Sequence, residues 1–181
     1  MGPAGIIVIL FIIVFGYVFI HTTNKINRLE IEARDRGAEI DSGLWDRTFR
    51  LSKIKEFLDA KGIENDIDCP EINSLGIGVS AAIQAMNSDN LDKQDLKVRA
   101  ILKERPELLN EEVLKTELDK FNKARDDLFR YSLAYNKSVN AYNSYISGFP
   151  ANVISIFNKK SDKQIFGYVF AELENRKTED F

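Results

Sequence analysis

The chain predicts an all-α protein: an N-terminal transmembrane helix followed by an antiparallel bundle of three to four long helices. Residues 4–20, AGIIVILFIIVFGYVFI, form an apolar run of 17 without a single charge. Beyond it, apolar residues return at steps of three and four, the period of an amphipathic helix. Strict two-residue alternation, the mark of a half-buried strand, is confined to stretches such as FGYVF at 166–170, where the spacing of Phe166, Val169, Phe170 and Leu173 suits a helix as well.

The first element follows from length and flanks. A helix rises about 1.5 Å per residue, so the run covers roughly 25 Å, and Thr22 and Thr23 extend it toward a hydrocarbon core of about 30 Å. A cleaved secretory signal is the competing reading, but MGP carries no side-chain charge and the run exits into His21-Thr22-Thr23-Asn24-Lys25 instead of a small-residue cleavage site. A core helix would show polar positions on one face, and this run has none. Residues 1–21 are therefore expected to be a single-pass anchor that meets the lipid bilayer through residues 4–20, with 22–181 as one bundle domain. Lys25, Arg28, Arg34 and Arg36 follow the span and only the α-amino group precedes it. Because flanking cations resist translocation, this places the N-terminus outside and the domain in the cytoplasm, at the cell membrane.

From Thr22 the apolar pattern Ile26, Leu29, Ala33, Ile40 continues the anchor into a long amphipathic helix, and Leu44, Leu51, Ile54 and Leu58 resume it with the phase shifted by one near Gly43. Gly37 and Gly43 each cost a helix about 1 kcal/mol against alanine, which predicts a bend there. GIENDIDCP at 62–70 reads as a surface turn. Leu75, Val79, Ala82 and Met86 make a second stripe, broken by NSDN at 87–90, and Val98, Ile101 and Leu102 belong to a third segment that stops before Pro106. Asn110 is the expected N-cap of the next helix, with Glu111 and Glu112 in its positive first turn. Leu114, Phe121, Leu128, Tyr135 and Tyr142 then recur every seven residues. A second row runs Leu118, Arg125, Ser132, Val139, Ile146, and the two rows form a coiled-coil-like seam from 111 to about 147. Arg125, Ser132 and the seam tyrosines favour packing in a larger bundle over a self-sufficient coiled coil. Short polar connections between the helices fit an antiparallel topology.

Composition narrows function. With 25 Lys and Arg against 28 Asp and Glu, the net charge of -3 is spread without a basic block, so no nucleic-acid partner is indicated. Cys69 is the single cysteine and cannot form an intramolecular disulfide. His21 is the single histidine and lies at the membrane boundary, which removes His-based acid–base chemistry, a Ser-His-Asp triad and two-His metal sites. Glu64, Asp66 and Asp68 lack the spacing and glycine of an EF-hand loop and read as a solvated turn. Gly76-Ile77-Gly78 is a lone GxG without the third glycine or the preceding strand of a dinucleotide site. Trp45 reads as a core or helix-interface residue. No cofactor or metal site is indicated, and the chain is not expected to be an enzyme.

The run YNKSVNAYNSYISGFPANVISIF at 135–157 carries two Tyr-Asn pairs seven residues apart, a Phe-Pro-x-Asn turn, and then Ile154 and Phe157. It resembles the hallmark YNxxVxxYNxxIxxFPxNxIxxxF of the LemA family. Arg105-Pro106-Glu107-Leu108 with Asn110-Glu111 and Leu114 is similar to a second stretch of that family, as is Ala38-Glu39-Ile40-Asp41 with Leu44 to a third. The resemblance implies a membrane-anchored helical protein of bacterial type whose molecular activity is undefined. The expected role is a scaffold or adaptor presenting helix faces to other membrane or envelope proteins. The alternative is an envelope-associated enzyme or protease cofactor with unrecognised, carboxylate-only chemistry; an outward-facing sensor would require the opposite topology. The candidate structural or partner-contact positions are Tyr135, Asn136, Tyr142, Asn143, Phe149, Pro150 and Asn152. Asn136 and Asn143 would either clamp a neighbouring helix through their amides or form a binding ladder. Phe149 and Pro150 would build the turn into a short helix, with Pro150 at its first position and the phenylalanine buried alongside, or serve as a recognition loop.

Overall fold

The computed structural model describes residues 2–70 and 80–167, and every regular element among them is helical. Helix α1 spans Pro3–Ala60, α2 Ala81–Glu104, α3 Glu112–Ser147 and α4 Ala151–Phe157, with a 3₁₀ turn at Pro106–Asn110. Three helices are long and the fourth is short. The described residues form two compact units: one of 2–35 with 136–163, the other of 36–135 with 164–167.

Helix α1 is continuous over 58 residues, about 87 Å. Its first turns are long and apolar enough to cross a membrane, and the side chains at 6–15 are all exposed, with no other described residue covering them. The helix stays helical through Gly37 and Gly43. Gly43 serves a close approach: a Cβ there would lie 3.1 Å from the Tyr131 ring and 3.2 Å from Leu128 on α3. The expected phase shift near Gly43 also disappears. Ile40, Leu44, Arg47, Leu51, Ile54 and Leu58 are all buried in one unbroken series of three- and four-residue steps, and the arginine occupies the position that looked vacant.

In the unit built around residues 36–135, α3 runs antiparallel to both other helices. Gly43 faces Tyr131 and Leu128, while Arg50 reaches Glu117 at 3.4 Å and Lys61 reaches Glu111 at 2.5 Å. Arg99 likewise pairs with Asn122, and Asp95 with Arg125. Helices α1 and α2 run in the same direction, since Asp41 meets Gln84 and Arg47 meets Asp92 in ascending register. The connection makes this possible. Asp66 pairs with Lys97 while the Asp68 N–H donates to Gln94, so the described residues 61–70 descend along α2. The segment 62–70 is thus more than a solvated turn. Its acidic residues face water, but Ile63 and Ile67 are buried in the core with Leu51, Leu91, Leu114, Phe121 and Phe166.

Helix α2 departs most from expectation. NSDN at 87–90 does not break it; one helix runs from the Ser80 N-cap, whose hydroxyl accepts the Ile83 N–H at 3.3 Å, to Glu104. The buried side is Ala81, Gln84, Ala85, Ser88, Leu91, Gln94, Asp95 and Val98, whereas Ala82 and Met86 of the expected stripe are exposed. Polar side chains can fill half of this face because α1 and α3 supply polar partners. Leu75, Val79 and Gly76-Ile77-Gly78 lie outside the described residues, as do Val169, Phe170 and Leu173; Phe166 itself is buried in an irregular stretch.

Helix α3 follows the heptad reading closely. Leu114, Phe121, Leu128, Ser132, Val139, Tyr142 and Ile146 are buried. It begins one residue later than an Asn110 cap implies. The Glu111 carbonyl accepts the first helical bond, from the Lys115 N–H at 3.0 Å, and Asn110 belongs to the 3₁₀ turn. The unit of Met1–Asp35 and Asn136–Lys163 has its own core of Ile26, Tyr142, Ile146, Ala151 and Ile154, flanked by Phe19, Leu29 and Tyr145.

Candidate functional site

The heptad spacing of α3 sets Tyr135, Asn136, Tyr142 and Asn143 along one side of the helix, and the structure assigns the pairs distinct work. Asn143 reads the backbone of Lys163 with both ends of its amide: Nδ2 donates to the carbonyl at 2.8 Å and Oδ1 accepts the N–H at 2.9 Å. This two-bond clamp satisfies an irregular segment that has no helical ladder of its own. Tyr142 is buried and lies under the Lys163 ammonium, 5.2 Å from its ring centroid. Tyr135, half-buried, donates from its hydroxyl to the Gln164 carbonyl at 3.0 Å. Burial pushes both phenols up, helped at Tyr142 by the negative charges of Glu30 and Asp162. Asn136 is half-buried. Asn143→Ala is expected to cost about 1 to 3 kcal/mol in thermal unfolding, because the Lys163 N–H and C=O lose their partner.

Beside this clamp, Glu30 of α1 accepts hydrogen bonds from Lys160 and from Lys163, the latter at 3.2 Å. Burial alone would raise its carboxyl, but the two ammonium groups outweigh it and hold the group below the ordinary 4.5. A carboxyl lowered in the folded state contributes stability that is complete above the unfolded value and lost as pH falls through the folded one. The protein is therefore expected to lose stability as pH falls below the ordinary carboxyl value and through the lowered one of Glu30. Glu30→Gln should flatten that part of a melting-temperature profile taken against pH.

Gly148-Phe149-Pro150 forms the turn into α4, with a cis Phe149-Pro150 peptide. Pro150 is the residue preceding α4 and not its first helical position. Phe149 is not buried: 86% of it is exposed. Ala151 and Ile154, not the preceding ring, take the inward side of this turn and helix. Asn152 is exposed, and its Oδ1 accepts the Val153 N–H at 2.8 Å. At the other end of α4, the Asn158 amide donates to the Thr23 hydroxyl at 3.2 Å.

A second constellation, absent from the sequence expectations, lies in the unit of Arg36–Tyr135. Arg47 is fully buried, donates to Asp92 at 2.6 Å and stacks its guanidinium 5.2 Å from the Phe121 centroid. Asp95 on the same face of α2 engages Arg99 at 3.1 Å and Arg125 at 3.7 Å. Nε and Nη1 of Arg47 and the Ser88 hydroxyl have no hydrogen-bond partner among the described residues. The sequence signal was Arg47 itself, a cation at the helical step between Leu44 and Leu51 of the apolar stripe.

Chemically, neither constellation brings a nucleophile and a base together. Cys69 is half-buried, and desolvation raises its thiol above the usual cysteine value, which disfavours the thiolate. Among the described residues no three His, Cys, Asp or Glu side chains converge on a point where a metal ion would fit. His21 is exposed and stacks on Tyr17 at 6.0 Å. Trp45 is neither core nor interface within the chain: 62% exposed, it stacks on Phe49 at 5.8 Å, with Arg50 and Lys53 over the Phe49 ring. Compared with models of known families and with curated proteins, the chain matches none.

Proposed function

We propose that this chain is a single-pass membrane protein of the LemA type that acts as a helical scaffold or adaptor, not as an enzyme, holding its bundle domain against other membrane or envelope proteins. The observation that carries the reading is the bare first third of α1. The apolar side chains at 6–15, which no other described residue covers, need a hydrocarbon environment. Support for the adaptor role comes from the Trp45–Phe49 stack, a solvent-facing aromatic pair with cations over it, the composition that protein interfaces favour. The Tyr-Asn positions serve the fold: the two bonds between Asn143 and the Lys163 backbone account for that amide without a partner. The cations that follow the span favour a cytoplasmic domain.

The test uses intact cells carrying the full chain with Cys69→Ser and Glu64→Cys. The expected result is a protein that resists alkaline carbonate extraction, reacts with an impermeant maleimide only after permeabilisation, and captures membrane proteins on cross-linking in a way that Trp45→Ala weakens. Release by carbonate would refute anchoring, and labelling in sealed cells would reverse the topology. Loss of a turnover activity on Glu64→Gln or Asp66→Asn with an unchanged melt would replace the adaptor by the carboxylate enzyme.

A further inference from the structure

Helix α4 is apolar on both sides, and among the described residues only one side has a protein partner. Ala151 and Ile154 pack inward with Ile26 and Phe19, while Phe149, Val153, Ile156 and Phe157 are 86, 45, 76 and 72% exposed. What covers that outer face is decided by where α4 is pinned. Phe19 belongs to the apolar run itself, and Thr23, which accepts the Asn158 hydrogen bond, stands only three residues beyond Ile20, about 4.5 Å along the helix axis. The inner side of α4 therefore touches the last turn of the span and the first turn after it.

From this placement the geometry points to α4 as an interfacial element that lies on the bilayer surface and buries Phe149, Ile156 and Phe157 at the headgroup–acyl boundary. The inference rests on the anchoring proposed above. Short apolar faces beside a span partition to that depth, about 5 to 10 Å below the headgroups. The charges fit as well. Lys159 is exposed at the end of α4, and Lys25 lies 4.5 Å from the Tyr145 ring centroid on the adjoining turn of α1, so cations flank the apolar face where anionic headgroups would sit. Val153, less exposed than the others, marks the edge of the immersed face. The Phe-Pro turn gains a role by the same argument. It delivers an exposed ring to the outer side of α4 at the level of the anchor's exit.

The test places single tryptophans in the full chain, in a Trp45→Phe background, reconstituted in phosphatidylcholine–phosphatidylglycerol vesicles whose lipids are plain or brominated, near the top of the acyl chain to read position 157 and near its end to read position 11. Phe157→Trp reports the proposed contact and Phe11→Trp reports the anchor. Both variants should retain parental helicity, since each replaces one exposed aromatic by another. The expected result is that bromination roughly halves the emission at 157, the depth being within the reach of shallow bromines. Quenching at 11 with none at 157 overturns the interfacial placement and leaves the anchor standing. A blue-shifted but unquenched signal at 157 means that a second copy of the chain covers the face, and overturns it too. No quenching at 11 removes the anchor and this inference with it.

Discussion

Asp92→Ala is expected to destabilise the protein by about 3 to 5 kcal/mol, whereas Arg47→Met should leave it within about 1 kcal/mol of the parent or make it more stable. The asymmetry follows from burial. Arg47 has no exposed surface, and its shortest polar contact is the 2.6 Å bond to Asp92; without that carboxylate a cation is stranded between α1, α2 and the Phe121 ring. Methionine at 47 fills nearly the same volume, removes the two guanidinium nitrogens that have no hydrogen-bond partner, and leaves Asp92, which retains 17% side-chain exposure, in reach of water. Thermal unfolding of the detergent-solubilised chain, followed by helical circular dichroism, measures both. Equal losses in the two variants would mean that the pair is net attractive and not merely compensated.

Leu128→Ala carries the second large effect, about 2 to 5 kcal/mol by the same measurement. The side chain is fully buried at the middle of the α3 seam and sits 3.2 Å from where a Cβ on Gly43 would stand. Truncation opens a cavity at the closest approach of α1 and α3. Leu133→Ala, on the exposed side of α3, should stay within about 0.5 kcal/mol. Gly43→Ala is the informative partner. Alone it presses on Leu128 and Tyr131; combined with Leu128→Ala it grows into space that has become vacant, so the double variant should be more stable than the two single costs add up to.

The helical class and the α3 seam could be read from the sequence because both rest on apolar spacing alone, and spacing is a property of the chain before it folds. Where polar residues are buried, that reading fails. Gln84 and Asp95 look like solvent positions in isolation and face inward where Asp41 and Arg125 come to meet them from other helices. That misplacement divided one helix into two segments and set its stripe on Ala82 and Met86. The direction of α2 relative to α1 depends on where residues 61–70 travel, and that route is set by the anchoring of Ile63 and Ile67, two apolar residues inside an otherwise polar stretch. Among the candidate positions, the period singled out Asn143 and Tyr135 as structural or partner-contact residues without choosing between the two, and it did not reveal their targets. Both bind backbone carbonyls in an irregular segment whose sequence shows no pattern. Phe149 and Trp45 were assigned to the interior because large aromatics usually go there. Their exposure is a statement about surroundings outside the chain, which periodicity does not encode.

The unit of Met1–Asp35 and Asn136–Lys163 joins the two ends of a long chain, and this has a consequence in time. Glu30 waits for Lys160, and Thr23 for Asn158, across 130 and 135 positions. At a synthesis rate of about 5 to 20 residues per second, the ribosome delivers those partners roughly 7 to 27 seconds after the first half of the unit has been made. During that interval the nascent chain displays Ile26 and Leu29 with nothing of its own to place over them. A ribosome stalled near residue 130 should therefore hold a chain whose α1 is sensitive to protease just beyond the span, and release to full length should abolish that sensitivity.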